Sequence, residues 1–425
     1  MPIIYTNKIF YGWYIVAGSI AMNFLLTVFF GLGFNVFFLP ILHEFGWSRA
    51  ITSGAFSLRA VESGLLAPVI GFLVDKWGPR IIILWGVVFS GLGMILMGYI
   101  DSLMGFYIAF LVASLGNTGA SHGVSWVTAV ANWFDRLRGR ALGIAMMGPV
   151  LGGPLLATVA VIEGLIGWRV ASIILGILLI ILGIPLAMLV RSKPGDYGYL
   201  PDGDTTPVST NGEAQDAITN NTKDTEGYTV KEALHTKNFW VMVALYTLMF
   251  VGISGLMVHL IPMLEDLDYT SAQSASILGM MFFLSGIGRI GSGILADMIA
   301  YRYVLLILIA CQLSGLTLLL SIGSDQYWFV MLFALIFGIG FGGTIPLRPY
   351  LVMNMFGAKA FGTLQGLVQV GAMGAGVVGP VFYGWMFDSL GSYDIAIYGT
   401  LCTILCTIPL TFMLTSKNSI PSNTM

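Results

Sequence analysis

Arg59, Glu62, Arg289 and Arg348 are charged residues set inside long apolar stretches of the chain. A charge at bilayer depth costs about 3 kcal/mol or more unless it is paired or hydrated, so such residues face a bundle interior or a water-filled cavity and mark functional sites. Arg59 and Glu62 lie three apart, the spacing that puts an ion pair on one face of a helix. Two readings follow: a self-satisfied structural pair, or a carboxylate that takes up a proton and releases Arg59 to a ligand. Arg289 and Arg348 have no acidic residue within a helical turn in sequence. Three arginines against one glutamate leave an excess of positive charge that an anionic ligand would neutralise. The planar guanidinium fork matches a carboxylate and stays charged at any relevant pH. In the competing reading an arginine binds backbone carbonyls freed by a kink, and Pro346 and Pro349 around Arg348 favour that there.

The elements that must position these residues are membrane spans. The chain is 57% hydrophobic and 9% charged, far from soluble domains, in which about a quarter of residues are charged. Its 54 glycines suit helices packed in lipid, which rely on small residues to let backbones approach. Crossing about 30 Å of hydrocarbon takes about 20 apolar residues at about 1.5 Å each. Segments of that kind run over 11–38, 50–74, 80–100, 104–131, 139–162 and 168–190, then 239–263, 272–297, 302–322, 327–355, 361–387 and 394–415. The expectation is an all-α integral membrane protein of twelve transmembrane helices in two six-helix bundles, one within 1–190 and the other within 239–425. Residues 191–238 form a Pro-, Gly-, Thr- and Asn-rich cytoplasmic linker. At its end Thr229 and Glu232 have capping-box spacing, predicting a short amphipathic helix on the membrane surface ahead of the seventh span. With both termini cytoplasmic, Lys76, Arg80, Arg136, Arg138, Arg140, Arg191, Lys193, Arg302 and Lys359 fall inside, whereas Arg49 and Arg169 fall outside; that asymmetry sets the orientation.

The two halves repeat. Gly71, Leu73, Asp75 and Arg80 return as Gly293, Leu295, Asp297 and Arg302 at one offset, 293 less 71 or 222 residues, which also pairs Pro40 with Pro262 and Phe134 with Phe356. Tandem copies of one unit are a transporter architecture. The same offset sets Met281 opposite Arg59, Leu284 opposite Glu62, Ala67 opposite Arg289 and Trp126 opposite Arg348. The interior charges therefore break the symmetry, as expected of residues that read a ligand between the halves.

Other chemistries find no footing. His43, His122, His235 and His259 are scattered without ligand spacing, and no nucleophile element or phosphate loop is present, so neither an enzyme nor a cofactor or metal site is expected. Cys311, Cys402 and Cys406 are odd in number and lie in apolar segments, which argues against a disulfide framework. The net charge of −2 gives no reason to expect nucleic acid. No cleavable signal precedes the first apolar segment, so the first helix itself is expected to target the chain.

The hinge Gly71-Phe72-Leu73-Val74-Asp75-Lys76-Trp77-Gly78-Pro79-Arg80 resembles the loop signature of the major facilitator superfamily, found between its second and third helices and again between its eighth and ninth. Within it the chain most resembles the bacterial branch of the monocarboxylate and oxalate/formate transporters. Tyr11-Gly12-Trp13-Tyr14 resembles that group's entry motif, and Trp133-Phe134 with Arg138-Gly139-Arg140-Ala141-Leu142-Gly143 resembles its motif before the fifth helix. Arg289 falls at the position of its eighth-helix substrate arginine. The resemblance implies a secondary active transporter of the inner membrane, working as a monomer in the lipid bilayer by alternating access. Its cargo would be a mono- or dicarboxylate, coupled to protons or a counter-transported anion. The alternative is a carrier of a neutral or cationic compound with structural arginines. The resemblance also implies that Gly71, Asp75, Gly78, Arg80, Asp297 and Arg302 latch the halves, with Asp75 meeting the start of the eleventh helix. By analogy His122, Asn117, Gln365 and Gln369 line the cavity. His259, beside Pro262, is either a binding or gating group or a hydrogen-bonded core residue. Leu32 and Ser285 replace a lysine and an aspartate of the animal monocarboxylate transporters, which leaves Glu62 as the coupling candidate.

Overall fold

The computed structural model of the chain describes residues 10–31, 33–47, 49–121, 123–152, 156–203, 227–269, 271–323 and 326–414. Among them the regular structure is helical, with one isolated bridge between Gly227 and Gly357. The first half comprises α1 (Tyr11–Leu26), α2 (Phe34–Phe45), α3 (Arg49–Trp77), α4 (Pro79–Met97), α5 (Leu103–Ala120), α6 (Ser125–Trp133), α7 (Arg138–Ala145), α8 (Gly148–Gly152), α9 (Leu156–Ile166) and α10 (Trp168–Met188). After α11 (Val230–Leu234) the second half comprises α12 (Lys237–Glu265), α13 (Ser271–Met298), α14 (Tyr301–Leu320), α15 (Tyr327–Phe356), α16 (Phe361–Leu390), α17 (Asp394–Leu405) and α18 (Thr407–Met413). Ten stretches of helix in the described residues are long and apolar enough to cross a membrane. Large apolar side chains such as Trp328, Leu165 and Tyr99 point outward, a surface that lipid rather than water would cover.

Four expected spans are interrupted. The first gives way to a π-helical turn at Thr27–Gly31, where Gly31 and Gly33 weaken the helix. The fourth breaks between α5 and α6 in a run of small residues, and the Ser125 hydroxyl takes up the freed Gly119 carbonyl at 2.6 Å. The fifth is divided after Ala145. The last divides at Cys406, where Pro409 cannot donate to the Leu405 carbonyl. Elsewhere start signals act as written: Pro79 occupies the first turn of α4 behind Gly78, at φ 81, and Ser102 and Thr236 cap the amides of Gly105 and Phe239. The capping box at Thr229 and Glu232 forms in both directions, at 2.7 and 3.3 Å.

The halves meet along two related seams, α3 against α16 and α7 against α13. Both need glycine. A methyl group on Gly139 would strike the Gly293 carbonyl and one on Gly293 the Gly139 carbonyl, while Gly71 and Gly362 face each other in the same way. Backbones this close are the membrane form of small-residue packing.

Candidate functional site

A cavity of about 70 Å³ lies between the halves, walled by Arg59, Ser63 and Ala67 of α3, Asn117 and Thr118 of α5, Ser121, Gly123 and Val124 beyond it, and Gln369 of α16. That volume holds several waters or a small organic acid. Arg59 and Glu62 do not form the ion pair that their spacing allows. Glu62 turns to α5, where the Ser114 hydroxyl donates to Oε2 in a short bond and the Thr118 hydroxyl to Oε1 at 3.3 Å. The reason is that two hydroxyls one helical turn apart offer fixed donors on a neighbouring helix, which the i,i+3 partner would have to displace. Arg59 instead lies over the Phe30 ring at 4.9 Å, a cation–π contact that leaves its N–H groups aimed elsewhere.

Arg348 of the second half lies behind the cavity wall, tied to its lining residue Gln369. Its Nη2 donates to Gln369 Oε1 at 2.8 Å. With the Gln365 amide oriented to satisfy its neighbours, Gln365 Oε1 accepts from Arg348 Nε at 3.1 Å. The kink reading is therefore not what the arginine does here: two glutamines of α16 hold it. Tyr246, on α12 within electrostatic reach of Arg348, is buried with a hydroxyl that has no hydrogen-bond partner among the described residues.

Arg289 does not line the cavity. It is 5% exposed, its Nη1 donates to the Met146 carbonyl at 2.5 Å across the seam, and its Nε is buried without a partner among the described residues. The kink reading thus applies to this arginine, because the break after α7 frees Met146. His259 is bound within the second half, Nε2 to the Pro380 carbonyl at 3.1 Å and Nδ1 to the Tyr393 hydroxyl at 3.3 Å. His122 lies outside the described residues.

At the end of the molecule carrying both hinges, two carboxylates cross between the halves. Asp75 accepts from the amides of Gly362 and Thr363 at 2.9 Å each and from the Thr363 hydroxyl at 2.7 Å, at the start of α16. Asp297 accepts from the amides of Gly139 and Arg140 at 2.7 and 2.9 Å, at the start of α7, with Arg140 Nε 3.6 Å away. A helix N-terminus presents free amides and a positive dipole end, so each carboxylate meets a ready-made anion site. Arg138 adds a bond to Asn354 at 2.9 Å. Arg302 is turned away, binding the Leu414 carbonyl at the end of α18 through Nε at 3.2 Å; Arg80 is exposed.

Sequence reasoning missed Ser114 and Thr118, which were visible as a polar i,i+4 pair on one face, and Tyr246, which nothing in its apolar neighbourhood marks out. It also missed Asp202, one acid in a polar linker.

Comparison with known proteins bears on the whole chain. A model of the Major Facilitator Superfamily matches residues 20–380. Human monocarboxylate transporter 2 is 26% identical over 391 residues, covering 90% of this chain and 81% of that protein. The uncharacterized MFS-type transporter YcxA of Bacillus subtilis (strain 168) is 26% identical over 391 residues, covering 87% and 88%. Among solved structures, the proton:xylose symporter XylE bound to 6-bromo-6-deoxy-D-glucose superposes with a TM-score of 0.74 at 13% identity over 96% of each chain. FucP in the outward conformation gives 0.67 at 14% identity over 95% of this chain and 99% of that one. These two likenesses concern the fold alone. Two tandem hinges, two seams and a family match over most of the length have one meaning: the chain belongs to the major facilitator superfamily, as a multi-pass membrane transporter and not an enzyme.

Proposed function

We propose that this transporter moves a small organic anion, a mono- or dicarboxylate, by alternating access between two six-helix halves whose termini face the cytoplasm. The observation that carries the reading is the cavity with Arg59 of one half on its wall and Arg348 of the other tied to that wall through Gln369, with no carboxylate among the lining residues. A carboxylate would satisfy the fork of Arg59 in a site shielded from bulk water, where such a pair is strongest. Arg289 enters as the halves part at the hinge end: losing Met146 exposes a buried guanidinium that already lacks one partner. Glu62, between two hydroxyls, is the group that takes up a coupled proton. The likeness to monocarboxylate transporters supports the same cargo class. A cationic or neutral cargo would meet unneutralised arginines.

The test is thermal stabilisation of the purified protein across carboxylates, neutral sugars and cationic drugs, because a ligand selective for the folded state raises apparent stability. The expected result is a shift with a mono- or dicarboxylate that is lost in Arg59→Gln and Arg289→Ala. Stabilisation by neutral or cationic compounds alone would overturn the reading.

A further inference from the structure

The linker begins with a segment fastened to the turn before α7. The Asp202 carboxylate accepts from three successive amides, Asp135 at 3.1 Å, Arg136 at 2.7 Å and Leu137 at 3.1 Å. These residues form the turn that leads into α7, whose first amides, Gly139 and Arg140, bind Asp297 of the other half. One short run of backbone is therefore held by a linker acid on its upstream side and by the opposite half on its downstream side.

The rest of the segment is fastened to the same turn. Trp133 Nε1 donates to the Arg191 carbonyl at 2.8 Å and Asn132 to the Ser192 carbonyl at 3.1 Å. The Arg191 guanidinium lies between Tyr11 and Tyr197, at 3.9 and 4.4 Å from the ring centres, and Tyr199 packs against Trp133 and Phe10. Asp202 itself sits at φ 61, a left-handed conformation that non-glycine residues adopt seldom and that asparagine and aspartate tolerate best. A strained backbone that delivers one side chain to three amides points to a selected contact. At its far end the linker is joined to the second half, Tyr228 N donating to the Phe356 carbonyl at 2.8 Å.

We infer that Asp202 is a positioning residue of the transport cycle: it holds the turn 135–137 in the form that presents the Gly139 and Arg140 amides to Asp297, so that the hinge-side latch closes on a site already ordered. This inference rests on the alternating-access reading. Because Asp202 and the turn belong to the same side of the seam, that contact persists in both states and does not itself favour closure, and across the seam Asp202 meets Asp297 as a like charge that slightly opposes it. Its effect comes through order: without it the turn is ordered afresh at each closing, and a ligand site that must be ordered on binding binds more weakly. The shift expected is about tenfold toward the open hinge, the ratio given by ordering roughly one further backbone residue.

The test uses the full-length chain with Cys311, Cys402 and Cys406 replaced and spin labels on cysteines at the exposed residues Lys76 and Tyr303, one in each half. Their distance distribution is recorded in lipid without substrate. Asp202→Asn keeps the shape and tolerance of φ 61 and removes the charge; it should raise the open-to-closed ratio about tenfold. In the Asp297→Asn background, where the contact that the turn serves is already lost, the same substitution should change nothing further. An unmoved ratio in Asp202→Asn, or an equal shift in both backgrounds, overturns the inference. If Asp297→Asn alone leaves the distance unmoved, the Asp297 contact does not hold the hinge closed and the inference falls with it, while the transport reading stands or falls by the ligand-dependent stabilisation described above. Should Asp202→Asn prove unstable, Asp202→Gly relieves the backbone, carries the same expectations and is overturned by the same results.

Discussion

Asp75→Asn offers a direct test of the latch. Three bonds reach this carboxylate from the other half, the Gly362 amide on Oδ1 and the Thr363 amide and hydroxyl on Oδ2. Asparagine keeps one oxygen but turns an NH2 group toward two donors or gives up the Gly362 bond, and it removes the charge that meets the helix N-terminus. A hydrogen bond to a charged group contributes about 1.5–3 kcal/mol and the dipole about 0.3–1 kcal/mol. Because Asp75 is exposed on one side, solvent screens it and the lower end applies, about 1.5–2 kcal/mol. At about 1.4 kcal/mol per tenfold, the open-hinge population should rise roughly ten- to thirtyfold. The Asp297 side chain, 3% exposed and paired with Arg140, is less screened, so Asp297→Asn should shift the equilibrium further. The assay is labelling of a cysteine placed on the wall of the hinge-side opening, which reacts only when the halves part. Unchanged labelling in Asp75→Asn, or a larger effect there than in Asp297→Asn, would refute the reasoning.

Glu62→Gln keeps the Ser114 and Thr118 contacts within reach and removes the titrating group; anion exchange across liposomes should persist while accumulation driven by a pH gradient is lost, and retained accumulation would exclude Glu62 from coupling. Gly293→Val places branched carbon against the Gly139 backbone, 2.8 Å from the carbonyl carbon by its first atom alone; overpacking of this kind costs about 1–3 kcal/mol, so the closed hinge should become the minor state by the same labelling assay. Glu44 is held below the usual carboxylate range first by its hydrogen bond to Arg169, with Trp168 assisting. A depressed carboxylate stabilises the fold fully above its ordinary value of 4.5 and loses that contribution as pH falls through the folded value. For a half-exposed pair this is no more than about 1 kcal/mol; Glu44→Gln should lower thermal stability slightly at neutral pH and make no difference at strongly acidic pH.

How far the sequence could be read depends on what each contact is made of. The spans and the tandem hinge were visible because they rest on composition and on a repeat, properties carried by residue identity alone. Arg59 and Glu62 show the limit of spacing: three residues apart, they can meet, but Ser114 and Thr118 on another helix offered Glu62 better-placed donors, and no pattern within α3 records that competition. Asn117 and Gln369 reach the cavity because of how α5 and α16 turn, and low amphipathicity in lipid-packed helices leaves that facing unwritten.

The least legible contacts share one property, that their receiving end is backbone. Arg289 binds a carbonyl left free because a helix breaks at Met146, and Asp297 and Asp202 bind amides; Asp75 does the same, where the family resemblance, not any residue pattern, pointed to the start of the eleventh helix. A backbone partner leaves no side chain to find; it leaves glycine, as at Gly139, Gly293 and Gly362, where chains must come close. Such a latch rests on amide hydrogen bonds more than on a buried ion pair, and the Arg140 side chain beside Asp297 stays 40% exposed, so closing does not carry the full desolvation cost of two buried charges. Backbone amides also keep their partial charge whatever the pH. The hinge carboxylates can therefore hold the closed face firmly enough to define a state and loosely enough for a ligand between the halves to reverse it, which requires only that the ligand bind the two states with different strength.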